Sequence, residues 1–412
     1  MTAPLEGIRV LEVASWLAAP SCAALLADMG AEVIKVEPPG GDSYRKLYDS
    51  LLGADSVHPC FQFDNRGKRG VCINLEEPEG LEMVRTLAKD VDIFLTNLTQ
   101  ARLERYQLTD ADIKVLSPGA IYAVVSGYGT KGPDSERQAF DQTAFWARSG
   151  AMAMFGDRDD GPLLSRGGYG DRITALNLLS AILAAMRIKD KTGEGQYVEV
   201  TLQRTGVWAM ASDVTTALYD RVDVDKTSQK APGNPIWNYY RTSDDRWFTM
   251  VMPFALHYWP KFCAMLGRDD WAIDERFQTT LGLLEHGPSL IPELNDLFAS
   301  QNLQYWRSQL DNAGLIWEPI ALVTEVIEDP ALRERGAFSV IVHEKAGAIE
   351  VVSAPFEIRN ADIEVRGPAP DVGQHTVLYR RPSSPRTVYP PFSVKWMLPV
   401  QRLVHIGPSL PM

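Results

Sequence analysis

The stretch LLSRGGYGDRITALNLLSAILAAM, from Leu163 to Met186, sets the carboxylate of Asp171 between clustered glycines and a long apolar pattern. Two roles are open to it. Apolar residues at Ile173, Leu176, Leu179, Ile182, Leu183 and Met186 recur at helical spacing and predict a helix beginning near Arg172. An Asp just ahead of such a run can accept hydrogen bonds from the orphan N–H groups of the first turn. A carboxylate beside bare backbone can equally act as a nucleophile. Gly167, Gly168 and Gly170 suit close approach of another group, or φ angles that other residues resist. A second acid, Asp141, sits between Phe140 and Phe145 in GYGTKGPDSERQAFDQTAFWARSG, where residues 142–148 predict another helix start. Both acids follow glycine-containing loops, the kind of place where open α/β sheets bind ligands.

Other chemistries find little support. VASWLAAPS, the first turn of the opening β-α-β unit, contains no glycine where a dinucleotide fingerprint needs three, so Glu37 reads as a solvated strand end. The six histidines, His58, His257, His286, His343, His375 and His405, form no H-E-x-x-H and no close pair. No G-x-S-x-G elbow is present for a serine hydrolase. NRGKRG, residues 65–70, is a compact basic cluster that reads either as a phosphate site or as a solvated turn.

The elements that must position these acids alternate in type. GIRVLEVA reads as a strand, PSCAALLADMG as a helix and AEVIKVE as a second strand. The strand GVCINL, the helix PEGLEMVRTLAKD, the strand VDIFLTN, a short helix across residues 101–106 and the strand AIYAVVSG follow. After the Asp171 helix come the strand QYVEVTL and one long helix through Met210 and Ala217. Alternation of this kind predicts an α/β fold with a mostly parallel sheet covered on both faces. The expected organisation is a large domain over residues 1–212, a linker and small tryptophan-rich domain over 213–318, a return to the large domain over 319–379, and a Pro-rich tail over 380–412.

Composition narrows the setting. The 412 residues carry a net charge of −12, which argues against broad nucleic-acid binding. Four dispersed cysteines, Cys22, Cys60, Cys72 and Cys263, suit a reducing compartment and no disulfide framework or metal site. The opening MTAPLEGIRVLEVA lacks the marks of a signal peptide, and no apolar run approaches the ~20 residues of a membrane span. A cytoplasmic protein without membrane contact is expected.

Taken together, PLEGIRVLEVASWLAAPSCAALLADMGAEVIKVEPPGGDSYR, FDNRGKRGVCINL, VDIFLTNLTQARLERYQL, GYGTKGPDSERQAFDQ, GYGDRITALN, KTGEGQYVEVTL, NPIWNYYRTSDDRWF and DPALRERGAF resemble, in order, landmarks of the family III CoA-transferases, which also include 2-methylacyl-CoA racemases. The resemblance spans residues 4–378. It implies an interlocked homodimer of protomers with a large Rossmann-like domain and a small one. It also makes Asp171 the catalytic carboxylate, attacking an acyl-CoA thioester to give a mixed anhydride and then an aspartyl-CoA thioester, while the helix N-terminus and glycine N–H groups stabilise developing oxyanions. Coenzyme A, a substrate rather than a resident cofactor, is expected along Trp16, Leu17, Ala18, Cys72, Ile73, Asn74, Leu75, Asn97 and Arg105, with Gln138 and Asp141 nearby. Some departures matter. Phe140 stands where racemases carry a His, and Ala255 where they carry an assisting Glu, which favours the transferase. Pro38 and Gln138 replace basic residues of some members, and no glycine-rich flap lies between Gln229 and Trp237, which argues against the formyl-CoA:oxalate pair. The acid substrate stays open between crotonobetaine-like, branched dicarboxylic and aromatic types.

Overall fold

The computed structural model describes residues 1–47, 53 and 56–379; the expected tail over 380–412 lies outside them. Six parallel strands form the main sheet: β1 (Arg9–Val13), β2 (Glu32–Glu37), β3 (Arg69–Cys72), β4 (Ile93–Thr96), β5 (Ile121–Ser126) and β6 (Tyr197–Thr201). Their order, β3-β2-β1-β4-β5-β6, is that of doubly wound nucleotide-binding sheets, and the topological switch lies between β1 and β4. The strands read as near-continuous apolar runs because helices cover both faces.

On one face lie α1 (Ala18–Asp28) and the 24-residue helix Tyr169–Thr192. All eleven residues of α1 are buried, and its alanines let the long helix pack closely over it. Ala19, Ala23 and Leu26 join Leu178, Leu179 and Ile182 against Val10, Ile93 and Val125 of the sheet. The other face carries α3 (Pro78–Ala88), α4 (Gln100–Tyr106) and α5 (Asp110–Leu116), packed on Leu11, Ile34, Val71, Phe94 and Val124. Helix α2 (Pro59–Asn65) precedes β3; the long helix is α6 in chain order, followed by α7 (Leu202–Ala209) and α8 (Ala211–Asp220).

A separate core belongs to a three-stranded antiparallel sheet, β7 (Trp237–Arg241), β8 (Trp247–Val251) and β9 (Trp317–Pro319). Tyr240, Phe248, Trp259, Phe262, Phe298 and Trp306 fill it, whereas Trp237 and Trp247 stand exposed on the opposite face of the strands. A hairpin of β10 (Phe338–His343) and β11 (Gly347–Val352) forms the third sheet. The chain then returns to the main sheet. His375 N–H donates to the Gly70 carbonyl at 2.9 Å, the Cys72 N–H to Thr376 Oγ1 at 2.9 Å, and Tyr379 OH to Glu32 at 2.9 Å. Edge strand β3 is thereby covered.

Three expectations are corrected. The single long helix after β6 is two, because the backbone leaves helical geometry at Met210 (φ −97°, ψ 21°). Helix α5, opened by a Thr109–Asp112 capping box, is an element that the expected alternation leaves out. Strand β3 stops at Cys72, the last residue in register with β2, so Ile73, Asn74 and Leu75 lie beyond its end. Among the described residues, no helix is long and apolar enough to cross a membrane.

Beneath the carboxyl ends of β1 and β2 lies a buried charge network. Glu12 receives the Lys35 ammonium at 2.9 Å on one oxygen and the Lys68 ammonium at 2.8 Å on the other, and all three side chains are sealed from solvent. Lys35 also reaches Asp42 at 3.0 Å and the Ala14 carbonyl at 3.1 Å. Neutralising the shared anion would take from buried Lys68 its ion-paired carboxylate and leave buried Lys35 with Asp42 alone. We predict that Glu12→Gln loses about 3–5 kcal/mol in denaturant unfolding; a loss below about 1 kcal/mol would show that the network does not carry this weight.

Candidate active site

The site forms where β1 and β4 end. Ser15 N–H donates to Asn97 Oδ1 at 3.1 Å and Asn97 Nδ2 donates back to the Ser15 carbonyl at 2.7 Å, pinning the two strand ends together. The chain then turns through Trp16 at φ +70°, a conformation unusual for a bulky residue. Asp42 holds that turn, accepting from Trp16 N–H at 3.1 Å while pairing with Lys35. The Trp16 ring meets the exposed Phe140 edge-on, with centroids 5.0 Å apart. Helix α1 begins at Ala18 with no side-chain cap and no acid in its first turn.

Asp171 does not cap α6. The helix starts at Tyr169, earlier than expected, with Gly168 at the N-cap in left-handed geometry (φ +88°). The acid that serves those N–H groups is Asp141, from 27 residues upstream: its Oδ2 accepts from Gly168 N–H at 2.8 Å. Burial raises the Asp141 pKa, and backbone hydrogen bonds from Gly168, Gly170 and Tyr169 pull against that rise. Gly170 makes the arrangement possible, since a Cβ there would sit 2.2 Å from the Phe145 ring and 2.3 Å from Asp141 Oδ1. The bare backbone thus admits the protein's own side chains, and one of the N–H groups anticipated for an oxyanion, that of Gly168, is engaged by Asp141. Nor does Asp141 cap its own segment, a π-helical turn over Gln142–Ala147.

Asp171 is left half-buried in the first turn, and among the described residues no hydrogen bond or ion pair reaches its carboxylate. Burial, then the like charge of Asp141, push its pKa up to about 7, against a smaller opposing pull from Arg172. A carboxylate so placed is basic and uncommitted.

The remaining expected residues divide into two groups. Trp16, Leu17, Ala18, Asn97 and Asp141 lie at the switch point; a Cβ on Gly168 would come within 3.2 Å of the Leu17 side chain, which puts Leu17 at the mouth of α6. Cys72 ends β3 and Ile73, Asn74 and Leu75 follow it, two strands from β1, or about 10 Å away at the usual strand spacing. There the Cys72 N–H is bonded to Thr376, Asn74 Oδ1 accepts from Glu76 N–H at 3.1 Å, and Ile73 is buried. Arg105 is exposed on α4 and paired with Glu76. Gln138 is exposed in the loop before Asp141.

The NRGKRG cluster is neither a phosphate site nor a solvated turn. Arg66 and Lys68 are buried, Arg66 bound through two nitrogens to Asp28 and Lys68 to Glu12, Asn65 and the Pro20 carbonyl, while Arg69 pairs with Glu32 at 3.4 Å. Glu37 is likewise buried, gripping Arg45 through two bonds of 2.7 Å. The sequence reading missed Asp64 and Arg172, an ion pair at 3.1 Å beside Asp171. Their signal was modest: an Asp at the head of the basic cluster, and an Arg adjoining the candidate nucleophile. Among the described residues, no cluster of three or more His, Cys, Asp or Glu could hold a metal.

Comparison with known proteins gives a consistent picture. The family model for CoA-transferase family III matches residues 5–376. The (R)-2-hydroxy-4-methylpentanoate CoA-transferase of Clostridioides difficile is 32% identical over 375 residues, 90% of this chain and 94% of that protein. Human succinyl-CoA:glutarate CoA-transferase is 26% identical over 374 residues, covering 90% of this chain and 84% of its own. Among solved structures, a CaiB/BaiF family protein from Brucella suis aligns with a TM-score of 0.83 at 26% identity, over 92% of this chain and 99% of that one.

The raised Asp171 pKa has a thermodynamic signature. The folded state binds the proton more tightly than the unfolded chain does, so the cost of the ionised carboxylate grows as pH rises from about 4 to about 7. Asp171→Asn removes that cost. Its stability relative to wild type is expected to rise by about 1–3 kcal/mol between pH 4 and pH 8. A gain independent of pH, measured by thermal unfolding, would contradict the raised value.

Proposed function

Because the chain belongs to CoA-transferase family III, we propose that it moves CoA from an acyl-CoA donor to a free carboxylic acid through covalent intermediates on Asp171. The observation that carries this reading is the Asp171 carboxylate: basic, without a hydrogen bond or ion pair among the described residues, and set at the first turn of α6 beside the switch point of the sheet. An Asp171 oxygen attacks the thioester carbonyl; the C–S bond breaks, leaving a mixed anhydride and CoA thiolate. The thiolate attacks the Asp171 carbonyl carbon, releasing the donor acid and forming an aspartyl-CoA thioester. The acceptor carboxylate displaces the thiolate to form a second anhydride. Thiolate attack on the acceptor's acyl carbon yields the new acyl-CoA and restores Asp171. Each exchange of one acyl bond for another keeps the energy near level, which divides a difficult transfer into easier steps.

CoA in this reading lies across the carboxyl ends of the strands from Asn97 and residues 16–18 to residues 72–75, with Arg105 offering charge at the far end. The relatives' names point to small carboxylic acids as acceptors, such as the 2-hydroxy-4-methylpentanoate and glutarate of the two transferases. An α-proton shuttle gains no support from Phe140, whose ring carries no titratable atom and packs on Trp16. The domain division over 1–212, 213–318 and 319–379 and the interlocked homodimer belong to the same proposal. Helix α8 has no buried residue, and Trp208, Leu218 and Tyr219 on α7 and α8 are 76%, 58% and 88% exposed, which fits a partner subunit covering them.

Incubation with paired acyl-CoAs and free acids, followed by mass spectrometry, should show CoA exchange in wild type and at least a ~10³-fold loss in Asp171→Asn, as for removal of a catalytic nucleophile. Hydroxylamine trapping should mark the peptide containing Asp171; a mark on Asp141, or near-normal transfer by Asp171→Asn, would refute the assignment. Sedimentation should find a dimer at micromolar protein, and a well-folded monomer there would sink the interlocked assembly.

A further inference from the structure

Helix α2 carries a carboxylate for which the transfer steps have no use. Asp64 is fully buried; its Oδ1 accepts from the Ser21 hydroxyl of α1 at 2.6 Å, and its Oδ2 meets the Arg172 guanidinium at 3.1 Å. Arg172 also donates to the Gly168 carbonyl at 3.3 Å, and its guanidinium lies 5.2 Å from the Phe63 ring centroid. Arg172 adjoins Asp171 in sequence, yet among the described residues no ion pair joins them. The cation adjoining the candidate nucleophile is paired with another carboxylate.

We infer that Asp64 is a positioning residue for the transfer: it ties the Arg172 guanidinium to α2 and so withholds from Asp171 the cation that would quench its carboxylate. This rests on Asp171 being the nucleophile. A carboxylate gripped by a guanidinium loses basicity and must shed charge-assisted hydrogen bonds before it can attack. Asp64 wins the competition because it is excluded from water and fixed by Ser21, so releasing Arg172 would strand a buried charge. The groups facing this arrangement come from several elements. Asp171 feels Asp141 and Asp64 as like charges and Arg172 as the opposing one. Arg172 faces Asp64, Tyr44 and Cys60, and Asp64 faces Lys68 as well as Arg172.

The test titrates Asp171 itself, by infrared difference spectra of the full chain against Asp171→Asn in the same background, from pH 4 to pH 10 without substrate. Asp64→Asn keeps an oxygen acceptor for Ser21 and frees Arg172. Its Asp171 midpoint is expected to fall by about one unit or more, and the double variant Asp64→Asn/Arg172→Gln to recover most of that fall. An unmoved midpoint in Asp64→Asn, or an equal fall in the double variant, overturns the inference. Should Asp64→Asn fail to fold, Arg172→Gln alone decides: a shift under about half a unit supports a guanidinium committed elsewhere, whereas a rise of about one unit or more shows that it already serves Asp171. No turnover is needed for this readout. Absence of CoA transfer by the wild-type chain, with the midpoint shift intact in Asp64→Asn, would defeat the functional reading alone, and wild-type transfer with an unmoved midpoint in Asp64→Asn would defeat this inference alone.

Discussion

Glu12 and its two lysines are the constraint on which the rest of the structure depends. A parallel sheet covered on both faces has no water near the middle of its strands, so an acid on β1 must bring its counter-charges with it. Lys35 comes from β2 and Lys68 from the approach to β3, and both ammonium groups converge on one carboxylate. The network fixes three neighbouring segments to each other. Through Lys35 it also fixes Asp42, and through Asp42 the left-handed turn at Trp16. The geometry at the mouth of α1 is therefore set by charges several residues deeper.

The same economy governs the acids near α6. Asp141 takes the helix N-terminus, Asp64 takes the guanidinium, and Asp171 is left with neither. Three carboxylates in one neighbourhood acquire different roles from their partners alone. The like charges of Asp141 and Asp64 add to desolvation in keeping Asp171 basic.

What could be read in the chain beforehand followed from short-range physics. All six parallel strands were legible because their apolar runs and the turns between them are local signals. The candidate nucleophile was legible as a residue but its surroundings were not. The bond from Asp141 to the start of α6 joins segments 27 residues apart, and no helix-start pattern near Asp171 could reveal that its capping task was already taken. Arg66 and Lys68 read as phosphate ligands or solvent-facing charges because charge in a sequence says nothing of burial; their partners Asp28 and Glu12 arrive from other elements. Glu37 misled for the same reason, its partner Arg45 lying in a turn with no periodicity to announce it. Family resemblance, not periodicity, is what favours a nucleophile over a cap at Asp171.

The cover over β3 has a consequence for how the chain is made. The bond from Cys72 N–H to Thr376 spans 304 residues. At ribosomal rates of about 5–20 residues per second, the edge of the nascent sheet waits roughly 15–60 s for the segment that seals it. During that interval β1, β2 and β3 are all outside the ribosome, and the N–H groups of β3 stand open to any strand that passes. Few contacts in a fold cost more in loop closure than one of this length. Covering of this edge therefore waits on a segment synthesised 304 residues later, and the early chain is the stage at which a chaperone would have most to protect.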